Sequence, residues 1–536
     1  MRVYSIHGAL CLAVTAALLP LQSLAADAPN MSGTWKLTST QAALKPEGGA
    51  IPFTATGRQQ YQENKRFQAQ GKFDEYDYTT SRCASPGLPR LMLMPGRFRI
   101  IQRPGWAMFQ FEWNRMTRQV DLGGIRQQRG RGGGGPGGPA GPGGPGAPGA
   151  PGAPAGIPDP FGESEAGNAV PNSKGHWDGD TLVVETSGFA ANTLLDNLVP
   201  HGYDLKTTER IRLNGANGLE DRITIEDPEY FSKPWQAVLT FERQADEAFP
   251  ENVCLDKLKG WPQYAISTGT IPPGAAKESE PAADAPAGGR VGGPAGLPGG
   301  GPPGLRGFGA PGPDDPQPSA DPRNFEGVWT RLGPLEYQIK KDMFGNPTPY
   351  NEAGAKLMTR RVQLLKKGMP IINPSALCLP PGEPWQFDIG ADIRVFHSKD
   401  RIDFLFHEYH GLMQVVLDPA KAPPPGYMGS PVGHWEGDTL VVVARGFKQS
   451  FWLDVNGTPA SKDATLTMRM RKVKSDQWAL EVQYTLDDPK YYTRPWSWMR
   501  QYTWRSDMTT LREYNCELQT GAHQGVDPTL VLDPEE

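Results

Sequence analysis

GHWDGDTLVVETSGF occupies residues 175–189, and GHWEGDTLVVVARGF occupies residues 433–447. A chain that carries one such stretch twice calls for a search for the rest of the repeat first, because a missed repeat misassigns everything after it. The similarity extends both ways. Each half opens on a Gly-x-Trp strand, SGTWKLTS from Ser32 and EGVWTRLG from Glu326. A cysteine follows, Cys83 or Cys378, then an aromatic run, FQFEWNRMTRQV from Phe109 or FLFHEYHGLMQVV from Phe404. After the motif stand EDPEYFSKPW from Glu226 and DDPKYYTRPW from Asp487, and then the closing cysteines Cys254 and Cys516. Shared order along this length makes the halves two copies of one domain.

Two tracts interrupt the repeat. One begins at Arg131 as RGGGGPGGPAGPGG and sits inside the first copy; the other separates the copies. Such Gly/Pro stretches bury too little apolar surface to offset the entropy of ordering them, so both are expected to be disordered. An insertion that leaves its flanks recognisable belongs in a surface loop.

Within the motif, a Trp ends one short strand and the β-branched run TLVVE or TLVVV makes the next. The pattern predicts a type I′ turn on Asp178-Gly179 and on Glu436-Gly437, where Asp suits the turn and Glu does so less well. RFRIIQR from Arg97, DIRVFHS from Asp392, DRITIED from Asp221 and LEVQYTL from Leu480 also alternate as strands. Helical spacing is confined to residues 56–70 and 350–367, one helix per copy. The expected fold is mainly β: two tandem antiparallel β-barrels with about one helix each, since closure removes exposed edges and leaves an interior for a ligand. The expected division is a signal peptide over 1–25, barrel copies over 30–263 and 324–522, an insertion over 126–168, a linker over 264–323 and a tail over 523–536.

Arg2, the short apolar run ALCLAVTAALLPL and the small residues before Ala26 read as a signal peptide cut near Ala25, taking Cys11 with it. The expected location is the periplasm or the medium. No later run is apolar for long enough to make a membrane-spanning helix. A net charge of −5 argues against a nucleic-acid surface, and the basic clusters RQQRGR from Arg126 and RMRKVK from Arg469 read as solvated faces. Three pairings of the four remaining cysteines are open. Joining Cys83 to Cys254 and Cys378 to Cys516 respects the repeat, closing each half on itself, so that cleavage in the spacer should release two folded pieces. Four free thiols or a metal site is the alternative, without the C-x-x-C spacing that metal sites usually show.

The string G-[HRK]-W-[DE]-G-D-T-L-V-V-x-T-x-G-F, preceded by an F-E-W-like strand ending in R-Q and followed by D-D-P-x-x-Y-x-x-P-W, resembles a widespread family of exported bacterial proteins. Val443 and Arg445 depart from its pattern where the first copy has Glu185 and Ser187. The Gly-x-Trp opening is similar to that of lipocalin-type barrels. These resemblances imply fold kinship and export, and no substrate.

The usual catalytic signatures, such as G-x-S-x-G, a Walker loop or H-E-x-x-H, are absent. His407-Glu408-Tyr409-His410 falls one residue short of a zinc motif, and no metal or other cofactor is expected. The second copy nevertheless gathers His397, Glu408, His410 and His434, where the first has Gln102, Trp113, Arg115 and His176. Strand alternation would put Phe404, Phe406, Glu408 and His410 on one face, with aromatic neighbours raising the Glu408 pKa into a useful range. Glu408, His410, His434 and Asp438 are therefore the candidate catalytic groups, and exposed polar residues at a strand end are the plain alternative. Asp180 and Asp438 are more simply read as acceptors for their own turn. Phe111, Trp113, Trp177, Phe404, Phe406 and Trp435 are the candidate ligand-binding side chains, against a core-packing role for most. Two functions follow: binding of a bulky apolar or aromatic small molecule oriented by Arg or His, or isomerase, cyclase or hydrolase chemistry in the second barrel.

Overall fold

The computed structural model describes residues 28–38, 43–126, 170–171, 173–254, 316–333, 336, 338–366, 380–388, 392–409, 411–454, 456–475 and 477–511. The expected signal peptide, nearly all of the expected insertion, most of the expected linker, the tail, Cys378, Cys516 and His410 lie outside them.

Each half closes nine strands on themselves. The first barrel runs β1 (Gly33–Leu37), β2 (Arg97–Arg103), β3 (Trp106–Phe111), β4 (Thr117–Asp121), β5 (Ser173–Asp178), β6 (Thr181–Ser187), β7 (Lys206–Asn214), β8 (Gly218–Glu226) and β9 (Trp235–Gln244). The second runs β10 (Gly327–Leu332), β11 (Ile393–His397), β12 (Arg401–Phe406), β13 (Leu412–Val416), β14 (Val432–Glu436) and β15 (Thr439–Ala444). After a two-stranded ribbon, β16 (Phe451–Trp452) and β17 (Pro459–Ala460), it continues as β18 (Thr465–Lys474), β19 (Trp478–Asp487) and β20 (Trp496–Trp504). Pairing of β1 with β9 and of β10 with β20 closes the barrels. Neighbours are antiparallel with one exception in each copy, β4 beside β5 and β13 beside β14, which run parallel. A parallel pair needs a long connection, and the Gly/Pro insertion falls in the first of these two connections.

The main helices are α1 (Ala55–Ala69) and α3 (Glu352–Lys366); α2 (Tyr78–Arg82) and α4 (Trp385–Asp388) are short. Thr54 caps α1 by accepting the Gly57 N–H at 3.1 Å. A Cβ on Gly57 would stand 2.2 Å from the Tyr230 carbonyl oxygen, and one on Gly354 would stand 2.3 Å from that of Tyr491. Glycine is thus what lets each helix close onto the D-P-x-x-Y segment. The aspartates of that segment are tethers: Asp227 accepts from Gly202 N at 2.6 Å, and Asp488 from Ser461 N at 2.8 Å. The Gly-x-Trp signature has a matching account, Trp35 Nε1 donating to Met31 O at 3.1 Å and Trp329 Nε1 to Phe325 O at 2.8 Å.

The motif turn differs from expectation. Asp178 pairs with Thr181 and Glu436 with Thr439, so the two-residue loops are Gly179-Asp180 and Gly437-Asp438. Gly179 has φ +61° and Gly437 +57°, while neither aspartate has positive φ. This is the type II′ pattern, with glycine first, in place of type I′. Glu436 then needs no special turn chemistry, since it belongs to the strand. It takes Arg469 at 2.8 Å across the outer face, as Asp178 takes Arg210 at 2.8 Å.

The halves also engage one another. Ile101, Trp106 and Met108 of the first barrel pack with Val328, Phe396, Leu405, Met508 and Leu511 of the second half. Around them Arg99 lies 3.3 Å from Asp403, Arg401 lies 3.3 Å from Asp246, and Arg103 lies 2.6 Å from Glu326. The segments after the last strands are exchanged. Gln414 on β13 holds Phe249 of the first half through both its backbone N–H and its carbonyl, at 3.0 and 2.7 Å. The matching Gln119 on β4 donates to Leu511 O of the second half. The Cys83–Cys254 bridge is present, its Cα atoms 5.7 Å apart. The pairing expected for Cys378 and Cys516 falls outside the described residues. Among those residues no helix is long and apolar enough to cross a membrane.

Candidate functional site

Among the six candidate ligand-binding aromatics, Phe111, Trp113, Phe404 and Phe406 are buried in the two cores. Trp177 and Trp435 are half-buried and pack against those cores from the motif hairpins. Arg323 lies over the Trp435 ring at 5.6 Å.

The candidate catalytic groups do not converge. Strand β12 ends at Phe406, so the alternation linking Phe404 and Phe406 to Glu408 stops before it reaches the carboxylate. Glu408 sits in the turn to β13, where Tyr409 has φ +58°, and its carbonyl accepts from Gln386 Nε2 at 3.0 Å. Burial alone pushes its carboxyl pKa up to about 7. His434 and Asp438 lie in the β14–β15 hairpin, exposed; His434 touches Glu436 at 3.2 Å and Asp438 lies 3.8 Å from Arg323. Strands β13 and β14 run parallel with Val416 level with Val432, so Glu408 precedes one strand and Asp438 follows the other. The two therefore stand at opposite ends of the barrel. Asp180, expected to accept from turn N–H groups, accepts from the Thr181 hydroxyl at 3.0 Å. His397 accepts the Phe325 N–H at 3.0 Å, the duty Gln102 performs for Met31 in the first half, also at 3.0 Å. Lys472, expected on a solvated face, is buried and donates to three carbonyls of residues 319–324 at 2.6 Å each.

What the sequence reading missed lies inside the barrels. Phe109 pairs with Arg118 where Phe404 pairs with Met413; Glu209 pairs with Ile223 where Met468 pairs with Tyr484; Asp221 pairs with Leu239 where Val482 pairs with Arg500. In the first barrel Arg118 grips Glu209 with both guanidinium ends, one at 2.8 Å, and Asp221 lies buried beside them. Among the described residues no N–H or hydroxyl donates to Asp221, whose neighbour is the Glu209 carboxyl, and burial followed by the Glu209 charge raises its pKa well above the usual carboxylate range. The second barrel has Met413, Met468 and Val482 at these places.

The second barrel has its own charged group elsewhere. Asp388 of α4 accepts from Arg500 Nε at 2.8 Å and lies 3.4 Å from Arg331 Nε. Counting along the matching segments, the first barrel has Leu37, Leu93 and Leu239 at these three positions, all in its core or packed on it. Beside this group are Phe387, Tyr484 and Tyr502, with the two hydroxyls 3.1 Å apart and Trp498 stacked on Tyr484 at 5.3 Å. The first barrel has Met92, Ile223, Phe241 and Ala237 there. Its corresponding end is closed by Trp113, leaving a void of about 10 Å³ among Leu37, Leu91, Phe98 and Phe111.

One further substitution stands where the halves meet. Glu383 is fully buried with neither oxygen partnered among the described residues, and burial followed by the Glu251 charge raises its pKa well above the usual range. Leu88 is its counterpart in the first half. The described residues hold no group of three or more His, Cys, Asp or Glu side chains placed to bind a metal. No protein-family model matches the chain, and no curated protein matches it significantly.

Proposed function

We propose that the protein is an exported tandem-barrel binding protein whose second barrel takes a bulky aromatic or apolar small molecule, the first barrel serving as its scaffold. The observation that carries this reading is the Phe387, Tyr484, Trp498 and Tyr502 group inside the second barrel, set against Met92, Ile223, Ala237 and Phe241 at the same register in the first. Trp498 is buried with an indole N–H that meets no acceptor among the described residues, where the first barrel has Ala237; Trp496 and its counterpart Trp235 share that state. Buried donors of this kind cost free energy unless something satisfies them, and a ligand bearing an oxygen would do so. The leader and the Cys83–Cys254 bridge support an oxidising compartment.

The test is a thermal-shift and tryptophan-fluorescence titration against a panel of hydrophobic compounds. Ligands should raise the melting temperature, and the effect should vanish in the Tyr484→Ile, Trp498→Ala protein, which carries the first barrel's residues. A flat response across the panel refutes the reading.

The enzyme reading rests on Glu408, whose carboxyl titrates near neutrality. A general base at that position predicts a rate that rises through about pH 7 and is lost in Glu408→Gln. Ligand binding unchanged in that variant, without turnover in either protein, rules out this second reading.

A further inference from the structure

We infer that the ligand of the second barrel carries an anionic group, a carboxylate or its equivalent, which is received by Arg331 and Arg500, and that Glu336 holds that place when no ligand is bound. The inference rests on the binding reading above.

Both arginines point into the barrel. On β20 the inward residues are Trp496, Trp498, Arg500 and Tyr502, matched across the sheet by Leu486, Tyr484, Val482 and Leu480. The Arg500 side chain is 9 % exposed and that of Arg331 is 6 %, so each guanidinium has given up most of its water. One buried carboxylate, Asp388, stands between them. It satisfies Arg500 Nε, but Nε and Nη1 of Arg331 remain buried without a hydrogen bond among the described residues. The Nε of Arg331 lies 3.4 Å from Asp388 Oδ1, close enough for ion-pair attraction yet out of line for a hydrogen bond.

A planar guanidinium fork with unpaired donors, set beside the buried Phe387, Tyr484 and Tyr502 rings, matches a carboxylate, which accepts two parallel N–H bonds. The remaining partner is Glu336, 46 % exposed, whose Oε2 lies 2.8 Å from Arg500 Nη2 while that nitrogen makes no well-directed hydrogen bond. A half-solvated side chain in poor alignment is a weak occupant. An incoming carboxylate with an aromatic body would displace it and gain the aligned bonds that Glu336 lacks.

The substitution pattern argues against a purely structural origin. Leu37, Leu93 and Leu239 fill the same three places in the first barrel, so the fold needs no charge there. Buried ion clusters are often no more stable than apolar packing of the same volume.

The experiment compares 1-naphthoate with 1-naphthamide, alike in shape and different in charge, by calorimetric titration of the full chain. Naphthoate should bind at least about tenfold more tightly than the amide, since hydrogen bonds to a charged acceptor are stronger than those to a neutral one. The preference should disappear in Arg331→Leu, Asp388→Leu, Arg500→Leu, and Glu336→Gln should tighten naphthoate binding. Equal binding of the two probes, or a preference that survives the triple substitution, overturns the inference and leaves the binding reading standing. If neither probe binds the unmodified protein, the binding reading falls for this ligand class. If naphthoate then also fails to bind Glu336→Gln, the anionic site falls with it.

Discussion

Asp221 and Glu383 are carboxyl groups that the fold buries at a cost. Each replaces an apolar residue of the other copy, Val482 and Leu88, and each is buried with no N–H or hydroxyl donating to it among the described residues. Because the folded pKa of each stands above the unfolded value, native protein keeps a proton that the unfolded chain releases. The stability of these groups is complete below the ordinary carboxyl range and is lost as pH rises through the folded values. Asp221→Asn should therefore flatten the fall of the melting temperature toward alkaline pH. Glu383→Leu should raise stability by about 1–3 kcal/mol, with the gain largest at high pH. Arg118 follows the opposite rule. Arg118→Met alone strands Glu209 and should cost about 3–5 kcal/mol in denaturant titrations, whereas replacing Arg118, Glu209 and Asp221 together by Met, Met and Val should cost little or nothing. None of these groups was legible as a site in the sequence. Arg118, Glu209 and Asp221 sit singly on β4, β7 and β8, and only closure of the barrel brings Arg118 to the other two, while Glu383 lies in the turn before α4.

At the scale of elements, most strands were legible because alternation reports one buried and one solvated face, whereas β3, β12 and β13 are buried along their whole length. The main helices were legible for a similar reason. The turn type was not. The sequence offers two adjacent pairs, Asp-Gly and Gly-Asp, and register decides between them; the pairing of Asp178 with Thr181 selects the second. The parallel contact of β13 with β14 was equally hidden, and with it the distance between Glu408 and Asp438, since no local pattern distinguishes a parallel neighbour from an antiparallel one. Gly437→Ala should weaken the second hairpin, because φ +57° is strained for any residue with a Cβ, and should destabilise by about 1 kcal/mol in thermal melts. Cutting the Cys83–Cys254 bridge with alanines reopens a separation of 171 residues. On the chain-entropy account this should cost about 5 kcal/mol.

For the whole molecule, the repeat was plain in the sequence but the partnership of its copies was not, because the residues that join them look like ordinary strand surface. Cleavage in the spacer is expected to leave the halves together in gel filtration, held by the shared apolar cluster and the exchanged segments. Gln119→Ala with Gln414→Ala should lower the temperature at which the cut protein separates. Two independently eluting halves after cleavage under native conditions would show that these contacts do not hold.

The exchange of Phe249 for Leu511 across Gln414 and Gln119 gives the chain the contact pattern of a two-fold dimer, written once in covalent form. A dimer of identical subunits must carry every substitution twice, so a change that suits one interior burdens the other equally. Fusion lifts that restriction. The leucines that pack one barrel and the arginines that line its twin coexist because symmetry here belongs to the outer framework and no longer binds the contents.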